Sequence, residues 1–178
     1  MCLMKREVVK QIENQNDTLV VYFSRTGNTE KIAEYIIELT NADSYVIEAA
    51  IPYTDDDIAY TNSSCRANQE QNDKTVRPEI AEPIESIDSY DVIYLGYPIW
   101  WGEEPRIIDT FLESYDFSEK IVVPFCTSAT GQIDNAQKPP KPKNVKLSHE
   151  TYSRYFDETA KADEISETIE KAVWICFK

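Results

Sequence analysis

The sequence predicts an α/β protein built on a parallel sheet, and two stretches carry that prediction. Residues 18–29 run from an apolar strand through a hydroxyl-rich turn into a helical pattern. Residues 91–112 repeat the same strand-loop-helix plan. Leu19 to Phe23 is also an almost unbroken apolar, β-branched and aromatic run, which suits a strand buried on both faces, as parallel strands are.

The first 17 residues hold only a weak amphipathic pattern and are expected to form an N-terminal extension, with one domain over 18–178. The first strand stops at Ser24-Arg25-Thr26-Gly27-Asn28-Thr29, in which four of six side chains end in a short hydroxyl or amide. From Glu30, the positions of Ile32, Ala33, Ile36, Ile37 and Leu39 predict a helix to about Thr40. Thr26, Asn28 or Thr29 can cap it, and Glu30 and Glu34 favour its positive end. A strand, a hydroxyl-rich turn and a helix N-terminus together make an anion site, because free amides and the helix dipole converge there. Phosphate is the expected guest. The loop lacks the Lys of a Walker loop and two of the three glycines of a dinucleotide fingerprint.

The second strand is expected at Tyr45 to Ala49, parallel to the first across a right-handed crossover. Asp55, Asp56 and Asp57 suit the start of a helix reaching about Glu70. Arg66 in that helix reads either as part of a solvated face or as an anion partner. Asn72 to Pro83 is expected to be a loop. The third strand, Asp91 to Tyr97, ends in Pro98-Ile99-Trp100-Trp101-Gly102, and Glu103, Glu104 and Pro105 open the next helix. Two adjacent indoles in an extended loop cannot point the same way. At least one is expected near the surface, where it covers something flat, while core packing accounts for the other.

Composition bounds the function. The chain has 178 residues, 42% hydrophobic and 28% charged, enough for one core. No apolar run approaches the roughly 20 residues of a membrane helix. The N-terminal stretch lacks the uninterrupted hydrophobic segment of a secretory leader, so a cytoplasmic location is expected. Four cysteines without a C-x-x-C pair and a single histidine, His149, argue for reduced thiols and against a structural zinc. Residues 18–134 hold seven Lys and Arg against 22 Asp and Glu, a net of −15, whereas 135–147 hold four lysines and no acid. Such a body repels nucleic acid and anionic membranes and attracts a basic protein, although it also serves solubility.

Three motifs stand in order at strand ends: Ser24 to Thr29, Gly96 to Gly102, and Pro124-Phe125-Cys126-Thr127-Ser128 closing a fourth strand. Over residues 18–128 the chain thereby resembles the flavodoxin-like family, in particular its predicted bacterial flavodoxin and flavoprotein branch. The resemblance implies a three-layer, doubly wound, five-stranded parallel sheet of order 2-1-3-4-5, with FMN at the carboxyl edge of the strands. It implies that Ser24, Arg25, Thr26, Gly27, Asn28 and Thr29 form the FMN-phosphate loop. Pro98, Ile99, Trp100, Trp101 and Gly102 would flank the ring, and Thr127, Ser128, Ala129 and Gly131 would approach it.

The chain departs from the family after Ser128. Pro139, Pro140 and Pro142 exclude a regular helix, so the last crossover is expected to be an altered loop, with a short fifth strand over 144–147. A helix from Ala162 to about Cys176 should cover the sheet. The function expected is electron transfer through FMN, to or from a basic redox protein or a small-molecule acceptor, with no catalytic acid, base or nucleophile. Two alternatives stand beside it. One is an NAD(P)H-dependent quinone or nitro-group reductase on the same fold, and the other is a flavin-free interaction module.

Overall fold

The computed structural model describes residues 17–118, 120–128 and 154–156. Its frame is a parallel sheet. Strand β1 (Thr18–Tyr22) lies between β2 (Asp43–Val46) and β3 (Val92–Pro98), and β4 (Ile121–Thr127) pairs with the far side of β3. A short strand β5 (Arg154–Phe156) pairs parallel with Phe125, Cys126 and Thr127 on β4. Helix α1 (Asn28–Thr40) joins β1 to β2, a 3-10 turn (Asp56–Ile58) and helix α2 (Arg66–Asn72) precede β3, and α3 (Arg106–Ser114) precedes β4.

Period-two alternation in β1 divides the core. Leu19 and Val21 join Ile93, Leu95, Ile107, Ile108 and Phe111 on the α3 face of the sheet. Val20 and Tyr22 join Ile32, Ala33, Ile36 and Phe125 on the α1 face. Both faces being apolar explains why β1 reads as a continuous hydrophobic run. Gly96 allows the closest approach in this core. A Cβ there would lie 2.2 Å from Phe125 Cζ, so the ring of Phe125 occupies the space a side chain would need.

Several boundaries differ from those expected. Helix α1 begins at Asn28, not Glu30, and its N-cap is Gly27 at φ 83°, with no side chain capping it. The hydroxyl of Ser24 takes over part of that work by accepting the Glu30 amide at 3.2 Å. Strand β2 is shifted toward the N-terminus, because Ala49 leaves the ladder to bridge antiparallel to Ile80. The helix expected over 55–70 is two pieces. Thr54 and Asp57 close a local turn on each other, with the Thr54 amide reaching Asp57 Oδ2 at 2.8 Å, and the segment to Asn62 stays irregular. Asp17 is tied to the sheet edge, its carbonyl accepting the amides of Asp91 and Val92 at 2.8 and 3.1 Å. Residues 1–16, the proline-rich crossover, the strand expected over 144–147 and the terminal helix fall outside the described residues.

Candidate functional site

Parallel pairing brings the carboxyl ends of β1, β3 and β4 to one edge, and a loop leaves each. The first loop turns on Gly27. Its left-handed backbone aims the chain into α1, so that Asn28 and Thr29 fall in the helix's first turn, at the positive end of its dipole. Beside them stand the hydroxyls of Ser24 and Thr26, the latter accepting from Asn28 Nδ2 at 3.3 Å. Thr29 is turned inward. Its hydroxyl lies 2.8 Å from that of Thr127, and both residues are buried. Arg25 reaches sideways, its Nε donating to the Tyr53 carbonyl at 2.5 Å and its Nη2 meeting Asp55 at 2.7 Å. It therefore pins the segment after β2 against the first loop.

The second loop is a tight turn. Trp100 and Glu103 exchange backbone hydrogen bonds at 2.9 and 3.1 Å, and between them Trp101 and Gly102 sit at φ 49° and 86°. Positive φ at both central residues is the geometry of a type I′ turn, and for a bulky aromatic residue it is strained. The two indoles part company. Trp100 is buried edge-on to Phe23 and Tyr53, at 5.4 and 5.1 Å between ring centres. Trp101 is half-buried, lies 4.5 Å from the ring of Tyr60, and directs its indole N–H to Asn68 Oδ1 at 3.0 Å once that amide is oriented by its neighbours.

The turn is held from below by α2 and α3. Gln71 donates to the Trp100 and Glu104 carbonyls at 2.7 and 3.0 Å. Arg106, 3% exposed, is enclosed by Glu103, Glu104 and Asp109, and Lys74 reaches Glu103 at 3.0 Å. Burial pushes the Glu103 carboxyl up, but its hydrogen bonds from Arg106 and Lys74 outweigh that and hold it below its ordinary value. Glu104 is moved the other way by burial.

The third loop begins at Thr127, whose carbonyl accepts the Ile99 amide at 2.8 Å. Ser128 follows it, half-buried. Ala129 and Gly131 fall outside the described residues. So Thr127 bonds to both other loops, and Ser24 to Thr29, Pro98 to Gly102, Thr127 and Ser128 gather at one edge. Cys126, next to Thr127, is sealed in the core, and burial pushes its thiol up to about 12, which disqualifies it as a nucleophile. Among the described residues no cluster of His, Cys, Asp and Glu forms a metal site.

Sequence reasoning missed the residues that hold the site from outside it. Tyr53 is one: its hydroxyl donates to Glu70 at 2.6 Å, its ring lies 4.0 Å under the Arg66 guanidinium, and its carbonyl receives Arg25. Arg66 is thus neither a free anion partner nor simply solvated. It is committed to Glu70, to the Ile51 carbonyl and to Tyr53. Tyr60, Asn68 and Gln71 are the others. They are scattered polar residues, Tyr60 in an irregular segment and Asn68 and Gln71 on α2, and only tertiary approach gives them a role.

The family model for flavodoxin matches residues 17–172. The chain belongs to the flavodoxin family. Among solved structures, a candidate flavoprotein from Bacteroides uniformis is 34% identical, with a TM-score of 0.79 over 88% of this chain and 99% of that one. A second, from Bacteroides eggerthii, is also 34% identical, with a TM-score of 0.71 over 88% and 97%. A Lactobacillus acidophilus flavoprotein solved in complex with FMN is 28% identical, with a TM-score of 0.51 over 67% and 79%. No functionally curated protein matches the chain.

Proposed function

We propose that this flavodoxin-family chain binds FMN at the carboxyl edge of its sheet and carries electrons. The observation that carries the reading is the meeting of three loops on Thr127 beside the N-terminus of α1. The residues present fit the group. The first loop contains no carboxylate from Ser24 to Thr29, and it offers amides, hydroxyls and the positive end of a helix to a dianion. Gly27 supplies the left-handed turn that a branched side chain would strain. On the ring side, Trp101 is a half-exposed indole on a braced turn, suited to lie against a flat heterocycle. FMN, when bound, supplies one- and two-electron chemistry, while this chain's residues set its position and surroundings. The reading assigns no acid, base or nucleophile to the protein. The altered loop over 129–147 belongs to the same proposal, as the part of the site that departs from the family, and so does a cytoplasmic location, which the free thiols of Cys65 and Cys126 suit.

Titration with FMN and with riboflavin tests the reading. Each hydrogen bond to a charged group contributes about 1.5–3 kcal/mol, so FMN should bind at least roughly a hundredfold more tightly. Gly27→Val should remove that preference while leaving far-UV circular dichroism near wild type. Equal affinity for the two flavins in the wild type would sink the phosphate-loop assignment, and a protein that binds neither would be the flavin-free module. Anaerobic mixing with NADPH then separates electron carriage from direct reductase activity, since only a reductase bleaches the visible flavin band quickly.

A further inference from the structure

Thr127 lies far from the phosphate loop in sequence, yet every loop of the site hangs on it. Its backbone ends β4, its carbonyl holds Ile99 of the tryptophan loop, and its hydroxyl meets that of Thr29 on α1. Both hydroxyls are buried, 3% exposed for Thr127 and 1% for Thr29. A hydroxyl has one hydrogen to give and two lone pairs to accept with. When two hydroxyls bond to each other, one hydrogen is used between them and one is left over. A buried hydrogen without an acceptor is destabilising, so the second must find one.

The surroundings decide which hydrogen that is. Thr29 is the second residue of α1, in the turn where free amides and the helix dipole favour an anion. A phosphate there is rich in lone pairs and short of hydrogens. With an anion at that turn, one arrangement gives both hydrogens an acceptor: Thr127 donates to Thr29, and Thr29 donates to the anion. We propose that Thr127 is a positioning residue for the ligand phosphate, its hydroxyl committing Thr29 as a donor to the anion while its carbonyl fixes the ring-side turn in the same frame. The inference rests on the phosphate-loop reading above and extends it to a residue outside the loop.

The test is a set of variants read by fluorescence titration with FMN and riboflavin. Thr127→Val keeps the side chain's shape and removes its donor, Thr127→Ser restores the donor, and Thr29→Val removes the residue through which Thr127 acts. T127V should lower the FMN-to-riboflavin affinity ratio about tenfold. T127S should return it to wild type, and T127V should change nothing further in a T29V background. If valine at this buried position prevents folding, Thr127→Ala asks the same question with a smaller side chain. A selective wild type whose T127V or T127A variant is equally selective overturns this inference and leaves the flavin reading standing. So do additive losses in the double variant, which would mean that Thr127 does not work through Thr29. A wild type without preference for FMN overturns both.

Discussion

Trp100 and Trp101 are neighbours with opposite environments, one sealed against Phe23 and Tyr53, the other half-exposed against Tyr60. Their divergence was expected of an extended loop; the loop is instead a tight turn, which parts them all the same. Which one would stay outside was not legible. It is decided by the turn that Glu103 closes and by Gln71, 29 positions upstream, gripping the Trp100 carbonyl. Gly27 was legible as a special position, and the structure supplies the reason. Its absent Cβ would meet nothing nearer than 3.8 Å, so φ and not crowding within the protein reserves the place for glycine. The two indoles should separate cleanly in experiment. Trp100→Ala should cost about 3–5 kcal/mol of unfolding free energy, as for other buried tryptophans. Trp101→Ala should leave denaturant unfolding nearly unchanged and weaken FMN binding by about 1–3 kcal/mol. An unaltered FMN titration for W101A would remove that indole from the ring site.

At the scale of elements, β1, α1, β3, α3 and β4 could be read from the sequence because each combines a strong period with a clear stop. The stretch between β2 and β3 could not. Its aspartates form a helix-start pattern, but Thr54 and Asp57 spend their polar groups on a local turn, and Arg25 draws Asp55 toward the first loop. The same stretch supplies Tyr53 and Tyr60 from its irregular part and Asn68 and Gln71 from α2, so the least legible segment is the one that braces the site. The start of α3 yields a pH prediction. Glu103 has a folded value below 4.5, so its contribution to stability is present above the unfolded value and is lost as pH falls through the folded one. Glu104 is raised by burial, so its ionisation opposes folding, and stability is lost as pH rises through its folded value. At pH 7, Glu103→Gln should therefore unfold at lower denaturant than wild type and Glu104→Gln at higher. Both differences should shrink as the pH is lowered through the range where the wild-type carboxyls take up protons. Denaturant midpoints that move in the same direction for both variants would contradict the assignment.

Over the whole molecule, the formal charge of −14 is the most prominent feature outside the site. Glu30, Glu34 and Glu38 place part of it on the exposed side of α1, beginning beside the first loop. If a basic redox protein docks there, electron transfer should slow by about tenfold or more between low and physiological ionic strength, as Coulombic steering is screened. Stopped-flow rates independent of salt would mean that the acidity serves solubility alone. The position of β1 in the sheet has a consequence of a different kind, in time rather than in space. The strand is made first, yet the ladder partner of Thr18 on its far side is Val92. At ordinary rates of synthesis, Val92 emerges on the order of ten seconds after Thr18, or somewhat less. Throughout that interval a strand that is buried along its whole length in the finished fold has at least one edge open, and loop-closure entropy slows the pairing that finally covers it. Variants that delay β3 should therefore aggregate during synthesis even when the finished fold is stable.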